Sequence, residues 1–195
     1  MTIPIEDIKK LREETGAGMM RAKEALESSG GDYDGAIKWL REKGEATAAK
    51  KADREARAGL IESYTHSGRI GVLVEVNCET DFVARTEDFK VFAKDIAMHV
   101  AAANPEYLDA SAVPDDVIER EKAIYRNEVE GKPAEIIEKI VSGKLAKYYE
   151  QFCLVNQPFV KDPDLTVAKL TSNLVAKLGE NIVIRRFVRL ELGVN

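Results

Sequence analysis

Two strand-like segments joined by a short turn constrain this chain more than any other feature of its sequence. Residues 60–66 and 69–78 are rich in Ile, Val and Tyr, and Ser67-Gly68 separates them. Such a pair around a two-residue turn that contains glycine is typical of a β-hairpin, so a sheet is expected to begin here. Apolar residues then recur at intervals of three and four, which predicts a long amphipathic helix packed on the sheet. The recurring residues are Phe89, Phe92, Ala93, Ile96, Ala97 and Val100.

The first 44 residues predict three short helices. Pro4 can occupy a first helical turn, Asp32 is a candidate N-cap, and glycines at 16, 30 and 44 are expected to end the helices. The residues expected to face inward are Ile5, Ile8, Leu11, Ala22, Ala25, Leu26, Ala36, Ile37 and Leu40. Three helices of this size bury little apolar surface, which suggests a recognition module attached to a larger domain.

The remaining pattern divides the chain into three parts. Residues 45–58 are almost entirely Ala, Lys, Arg, Asp and Glu, which favours a helical linker. Residues 59–195 form the predicted core, with further helices at about 115–130, 133–152 and 166–178 and a closing strand at 181–192. Gly143 is expected to interrupt the second of these helices. Its predicted buried residues are Ile136, Ile137, Ile140, Val141, Leu145, Tyr148 and Phe152.

The fold class that follows is α+β. We predict an N-terminal three-helix module at 1–44, a helical linker at 45–58, and a core at 59–195 with a small antiparallel sheet covered by helices.

Charge and composition weigh against several function classes. The formal net charge is -5, which argues against broad neutralisation of nucleic-acid phosphates. Residues 38–57 carry seven Lys or Arg against four Asp or Glu, so RNA binding through this segment stays open as an alternative whose affinity would fall steeply with salt. No apolar run approaches the roughly 18 residues of a membrane span, and the N-terminus lacks a signal-peptide pattern. We therefore expect a cytoplasmic protein that binds neither nucleic acid nor a membrane.

The sequence offers little support for catalysis. It contains no phosphate-binding glycine loop, no zinc-protease motif and no nucleophile elbow. His66 and His99 are the available histidines, and structural or solvated roles are favoured for both. Cys78 and Cys153 lie far apart in apolar segments, which favours buried thiols over a disulfide or metal site. We expect no enzymatic activity, no metal and no cofactor.

Several segments of the chain resemble the elongation factor Ts family. The two longest are IKKLREETGAGMM at 8–20 and VEVNCETDFVAR at 74–85. The likeness continues in order through Met98-His99, Asn104-Pro105, QPFVKD at 157–162 and GENI at 179–182, so it covers nearly the whole chain.

This resemblance implies a module of the ubiquitin-associated type and a core that together bind the GTPase elongation factor Tu. The implied function is guanine-nucleotide exchange: the protein binds the GDP form, perturbs its Mg²⁺ and phosphate site, releases GDP and is displaced by GTP. By correspondence, Thr80, Asp81, Phe82 and Val83 disturb magnesium binding, and the Phe82 ring wedges between helices of the partner. The resemblance assigns Arg12, Met19 and Met20 to contacts with the partner's nucleotide-binding domain.

Each of these residues also has an alternative interpretation. An aromatic residue before a helix often packs on its own core as a hydrophobic staple, so Phe82 alone does not establish a wedge. Met19 and Met20 could fill the small bundle, and Arg12 could be simply solvated. A ubiquitin-associated-type adaptor without exchange activity is a further alternative, although it leaves the Thr80–Val83 turn unexplained.

The chain resembles the short form of the family, because it is too short to hold a second core subdomain and a coiled-coil insertion. One core per chain offers half of the usual contact surface, so we expect a noncovalent homodimer in which two cores complete each other.

Overall fold

The computed structural model describes residues 3–194. The predicted elements occur in the predicted order, and the structure adds a one-turn helix at Asp81–Ala84 and two short strands at Pro158–Phe159 and Asp162–Thr166. The helices are α1 (Ile5–Thr15), α2 (Met19–Ser28), α3 (Tyr33–Ala49), α4 (Asp81–Ala84), α5 (Glu87–Ala103), α6 (Asp115–Asn127), α7 (Ala134–Phe152) and α8 (Val167–Leu178). The strands are β1 (Ala58–His66), β2 (Ile70–Cys78), β3 (Pro158–Phe159), β4 (Asp162–Thr166) and β5 (Ile182–Glu191). The predicted α+β class, with three N-terminal helices before a small antiparallel sheet with helices, is confirmed.

The chain forms two compact units, each assembled from separated segments. The first contains the residues up to Glu62 together with Glu75–Ala93 and Lys169–Arg185. The second contains Ser63–Val74, Lys94–Ala168 and the residues from Arg186 onward. The described part of the chain leaves out Met1 and Thr2, at the start of the module predicted at 1–44. It also leaves out Asn195, at the end of the core predicted at 59–195.

Helices α1, α2 and α3 in the first unit share a small hydrophobic cluster. Its buried members are Ile8, Leu11, Ala22, Ala25, Leu26 and Ala36, with Ile3, Tyr33, Ile37, Trp39 and Leu40 packed around them. Asp32 caps α3 as predicted, because its carboxylate accepts a hydrogen bond from the Gly35 N–H at 3.1 Å. Ile5 was expected to face inward, but this is wrong: the residue is 61% exposed. It lies in the first turn of α1, where a side chain has few neighbours to pack against.

The predicted end of the third helix at Gly44 is also wrong. Helix α3 continues through Gly44 to Ala49, and the backbone then turns before β1 begins at Ala58, so the linker predicted to be helical over 45–58 is helical only to Ala49. One glycine inside a helix costs only about 1 kcal/mol relative to alanine, and the residues that follow it are mostly good helix formers. Gly44 is buried, and a Cβ there would be in ordinary contact with Asn173 and Ala176 of α8.

Strands β1, β2 and β5 form a three-stranded sheet in the order β1-β2-β5. The turn between β1 and β2 has positive φ at both central residues, Ser67 at 52° and Gly68 at 67°. That conformation belongs to the hairpin turn whose twist matches the strands it joins. Gly59 is required in β1 for a different reason, because a Cβ at this position would lie 2.1 Å from the carbonyl oxygen of Val76.

Helix α5 has the predicted amphipathic pattern. All six apolar residues of the pattern are buried, with Phe89, Ala93, Ile96, Ala97 and Val100 fully so and Phe92 nearly so. The helix ends at Ala103, and Asn104 takes a positive φ of 48° immediately before Pro105.

The second unit includes a helical hairpin, α6 and α7, and a two-stranded antiparallel sheet of β3 and β4. The interruption predicted at Gly143 is wrong, since α7 is continuous from Ala134 to Phe152. Gly143 is exposed and has open space around it, so the helix loses only the intrinsic preference of one residue there. Ile136 is exposed near the start of α7, contrary to its predicted burial.

His99 is a structural residue of the second unit. Its ring is fully buried, Nε2 lies 3.0 Å from Oε1 of Gln157, and Nδ1 accepts a hydrogen bond from the Val160 N–H at 3.2 Å. This pattern fixes the neutral ring with its proton on Nε2. Burial lowers the pKa of His99 below its ordinary value.

Among residues 3–194, none of the helices combines the length and the apolar character that crossing a membrane requires. The same residues contain no group of three or more His, Cys, Asp or Glu side chains placed to hold a metal ion.

Candidate partner-binding site

The residues singled out between β2 and α5 form an exposed tip, which we define as Glu79–Val83. Strand β2 ends at Cys78, and the one-turn helix α4 begins at Asp81. Thr80 is the N-cap of α4, and its hydroxyl oxygen lies 3.5 Å from the Val83 N–H that it accepts from. A short β-to-α connection of this kind brings the four predicted residues together in one turn.

Phe82 points out of the protein. Its side chain is 78% exposed, whereas Val83 is half-buried and Ala84 is buried. A hydrophobic staple would cover the ring with apolar neighbours from its own helix, so this degree of exposure excludes the staple alternative. A large exposed aromatic residue on a turn is instead a feature of binding surfaces, where such rings act as anchors.

Glu180, which belongs to the same compact unit, holds the tip through hydrogen bonds. One carboxylate oxygen accepts from the N–H groups of Glu79 and Thr80 at 3.1 and 3.0 Å, and the other accepts from the Thr80 hydroxyl at 2.6 Å. In return, the carboxylate of Glu79 accepts from the Asn181 N–H at 2.7 Å. The two segments therefore hold each other through backbone donors and side-chain acceptors.

Asp81 adds an accessible negative charge next to the Phe82 ring. Its carboxylate forms an ion pair with Arg85 at 2.8 Å, with 58% of the Asp81 side chain and 75% of the Arg85 side chain exposed. An exposed pair of this type contributes only about 0.2–1 kcal/mol, so a partner can displace Arg85 at low cost.

A thiol lies immediately before the tip, at the last residue of β2, but it has little reactivity. Cys78 is fully buried, and its Sγ donates to the carbonyl oxygen of Thr80 at 3.1 Å. Burial, with a smaller contribution from the Glu180 charge, raises the pKa of Cys78 to about 11. Since the thiolate is the reactive form, Cys78 is suited to packing and not to nucleophilic chemistry.

The second predicted group lies on α1 and α2. Arg12 is exposed in the last turn of α1, and Met19 and Met20 open α2 with 38% and 76% of their surfaces exposed. Met20 therefore does not fill the bundle, which removes that alternative for this residue. Exposed methionines are adaptable contacts for a protein surface.

Helix α8 holds the three-helix module within the first unit. Arg21 of α2 donates to the carbonyl oxygen of Ala176 at 3.0 Å, and Lys177 donates to Asp88 at 2.7 Å. Glu180 follows the same helix by two residues. The C-terminal end of α8 therefore contacts α2 and α5, and Glu180 just beyond it bonds to the tip.

Sequence reasoning missed Glu180 and Arg21. Glu180 is separated from Thr80 by 100 residues, and no local pattern indicates that the two side chains meet. The only sequence feature that marked this region was the segment GENI at 179–182, and it was noted solely for its resemblance to a known family.

Comparison with known proteins agrees along nearly the whole chain. A family model described as elongation factor TS matches residues 9–193. The chain is 56% identical over 194 residues to elongation factor Ts of Thermodesulfovibrio yellowstonii, covering 99% of this chain and 98% of that protein. It is 58% identical over 189 residues to that of Carboxydothermus hydrogenoformans, covering 95% and 87%. It is 57% identical over 189 residues to that of Syntrophus aciditrophicus, covering 95% and 94%.

Proposed function

Since this chain belongs to the elongation factor Ts family of translation elongation factors, we propose that it acts as a guanine-nucleotide exchange factor for elongation factor Tu. In this role it binds the GDP form, weakens the hold on Mg²⁺ and phosphate, and leaves when GTP enters. The protein catalyses no covalent reaction and works in the cytoplasm without metal or cofactor. The observation that carries the proposal is the Phe82 ring, 78% exposed on a tip that is fixed from within.

The proposed mechanism is mechanical. A GTPase holds its nucleotide through phosphate-loop N–H groups and through Mg²⁺ that bridges phosphate oxygens. Magnesium demands near-ideal octahedral geometry, so a ring that displaces one helix of the partner weakens the ion and the phosphates together. Phe82 supplies the wedge, Asp81 the adjacent charge, and Thr80 and Val83 the turn that presents them.

Energetics explain why exchange is reversible. A nucleotide bound at nanomolar affinity has a binding free energy of about 12 kcal/mol. The factor therefore has to bind the empty GTPase more tightly than the loaded one by a substantial part of this free energy. Linkage makes the effect reciprocal: the factor lowers nucleotide affinity by the same amount that nucleotide lowers the affinity for the factor. Incoming GTP therefore displaces the protein.

A second contact completes the proposed complex. We assign residues 1–44 to a module of the ubiquitin-associated type, 45–58 to a linker and 59–195 to the core. Arg12, Met19 and Met20 of the module bind the nucleotide-binding domain of the partner. Two contacts on one chain raise the effective affinity, because the second forms as an intramolecular step once the first is made.

A homodimer is part of the proposal. Leu73 of β2, Val188 and Leu190 of β5 and Leu192 just after β5 are exposed. Arg189 of β5 is instead largely covered and donates to the carbonyl oxygen of Ala101 at 3.4 Å. An antiparallel sheet that faces water normally shows the opposite pattern, with polar residues outward. An exposed apolar sheet face of this kind favours a second copy of the chain as its cover.

Release of fluorescent GDP from elongation factor Tu tests the proposal. The protein should accelerate release in proportion to its concentration, and Phe82→Ala should remove most of the acceleration. Ile124→Ala is the matched control, because Ile124 is an exposed apolar residue of α6 in the other unit. A wild-type protein without effect on GDP release would reject the exchange function.

A further inference from the structure

We propose that Glu180 is a positioning residue that holds the Phe82-bearing tip in the conformation that binds the partner. The inference rests on the proposed function, because it concerns the same tip. The juxtaposition that supports it is one half-buried carboxylate whose two oxygens accept three hydrogen bonds from Glu79 and Thr80.

Glu180 satisfies two backbone donors of the tip. Glu79 and Thr80 follow the last residue of β2, and their N–H groups point to Glu180 at 3.1 and 3.0 Å. An ionised carboxylate only accepts, so both of these donors are satisfied by one side chain. Without it, the chain between β2 and α4 would have to find water as its partner and could adopt other turns.

Glu180 also bonds to the residue that caps α4. The Thr80 hydroxyl donates its hydrogen to Glu180 at 2.6 Å, and the same oxygen accepts from the Val83 N–H at 3.5 Å. Because a hydroxyl carries one hydrogen, bonding to Glu180 turns a lone pair of the oxygen toward α4. Glu180 thus sets the direction of the cap, and the cap sets the direction in which the first turn presents Phe82.

Glu180 is itself supported by hydrogen bonds of the residues on either side of it. Gly179 donates its N–H to the carbonyl oxygen of Val175, so the residue before Glu180 is tied to α8. On its other side, Asn181 is buried, and its side-chain amide donates to the carbonyl oxygens of Ala52 and Arg54 at 3.2 and 2.8 Å. Glu180 is therefore held on both sides by hydrogen bonds of its neighbours, which suits it to position the tip.

The same end of α8 also holds the three-helix module, through the bond from Arg21 to Ala176. Both proposed contact groups of this unit therefore depend on one short segment, 176–181. A change at Glu180 is expected to affect the tip and leave the attachment of the module intact.

The first experiment needs no partner. Amide hydrogen exchange at Glu79 and Thr80 is measured by NMR in the wild type, Glu180→Gln and Glu180→Ala, with Glu87→Ala as a control that removes a nearby exposed charge. Glu180→Ala should speed exchange at these two amides by about tenfold or more, with Glu180→Gln between it and the wild type, because charged hydrogen bonds slow local opening. Unchanged protection in Glu180→Ala would overturn the inference. Glu180→Gln keeps the test valid if the alanine variant fails to fold.

The second experiment is a double-mutant cycle in the GDP-release assay. Glu180→Ala should slow release by about tenfold when Phe82 is present and by less than about twofold in the Phe82→Ala background, because the two residues act through one contact. Equal slowing in both backgrounds would mean a general structural role and would contradict positioning. A wild type that does not accelerate release rejects the exchange function, and the amide measurement then decides the role of Glu180 by itself.

Discussion

Phe82→Ala removes a ring that is 78% exposed in the free protein, so its effect on binding can be calculated separately from its effect on folding. A buried aromatic side chain covers about 150–250 Å². The exposed fraction leaves about 120–190 Å² for a partner to bury, which at about 25 cal/mol per Å² amounts to roughly 3–5 kcal/mol. Alanine keeps the Cβ atom and part of this contact, so we expect a loss of about 2–4 kcal/mol, in the range of an interface anchor.

If the loss falls entirely on the exchange step, 2–4 kcal/mol corresponds to GDP release that is slower by about 30- to 900-fold at subsaturating factor. Stopped-flow release of fluorescent GDP from elongation factor Tu measures this directly. The free energy of unfolding of the variant, from urea denaturation, should change by less than about 0.5 kcal/mol, because an exposed surface side chain contributes little to the fold.

Phe82→Leu and Ile124→Ala complete the design. Leucine keeps an apolar side chain at the tip and should retain part of the exchange rate, and Ile124→Ala should behave as the wild type. A Phe82→Ala protein that releases GDP as fast as the wild type would refute the wedge. Slow release together with a large loss of stability would also refute the reasoning, because it would assign the ring to the fold.

Three further predictions concern the rest of the molecule. His99 accepts from the Val160 N–H as a neutral ring, and burial lowers its pKa below the ordinary value of 6.5, so its stabilising effect is present above that pH and is lost as the pH falls below it. Urea denaturation should show wild-type stability decreasing below about pH 6.5 by up to about 1.4 kcal/mol per pH unit, and equal pH dependence in His99→Gln would contradict this assignment. Burial raises the pKa of both Cys78 and Cys153 to about 11. Neither thiol should therefore react with a disulfide reagent at about pH 7.5 until urea unfolds the chain. Rapid labelling of the folded protein would contradict this prediction. Leu190→Glu places a charge on the exposed sheet face, so light scattering should show the variant as a monomer where the wild type is a dimer. Ile124→Glu is the control and should leave the dimer unchanged. A wild type that is monomeric at high concentration would remove the homodimer from the proposal.

The parts of the fold that could be predicted are those with a local signal. The hairpin was marked by Ser67-Gly68 between two β-rich segments, and α5 by six apolar residues in helical register, because both patterns are set by neighbours in sequence. The errors at Gly44 and Gly143 have a common origin. A glycine ends a helix only when the residues beyond it stop favouring helix, and the sequence beyond both positions continues to favour it.

The candidate site was predictable in part for the same reason. Thr80–Val83 lies in one continuous stretch, so the turn itself could be placed after β2. Whether Phe82 faces the core or the solvent could not be predicted, because both interpretations fit an aromatic residue before a helix. The bonds from Glu180 could not be predicted either, since they join residues that are 100 positions apart.

The tip and the end of β5 share an arrangement that bears on how such a protein binds. At the tip, the polar groups of Glu79 and Thr80 are bonded within the protein, and the apolar ring of Phe82 is left to the solvent. At the end of β5, Arg189 bonds inward and Leu190 faces out. A partner that covers such a surface removes apolar area from water without having to replace hydrogen bonds of the free protein, and it meets a turn whose backbone is already ordered. Both effects lower the free-energy cost of association, and they require that the polar groups beneath the surface stay bonded in the free protein. For that reason, changes at groups that bond the tip from within the protein, such as Glu180, should weaken binding while the exposed residues remain intact.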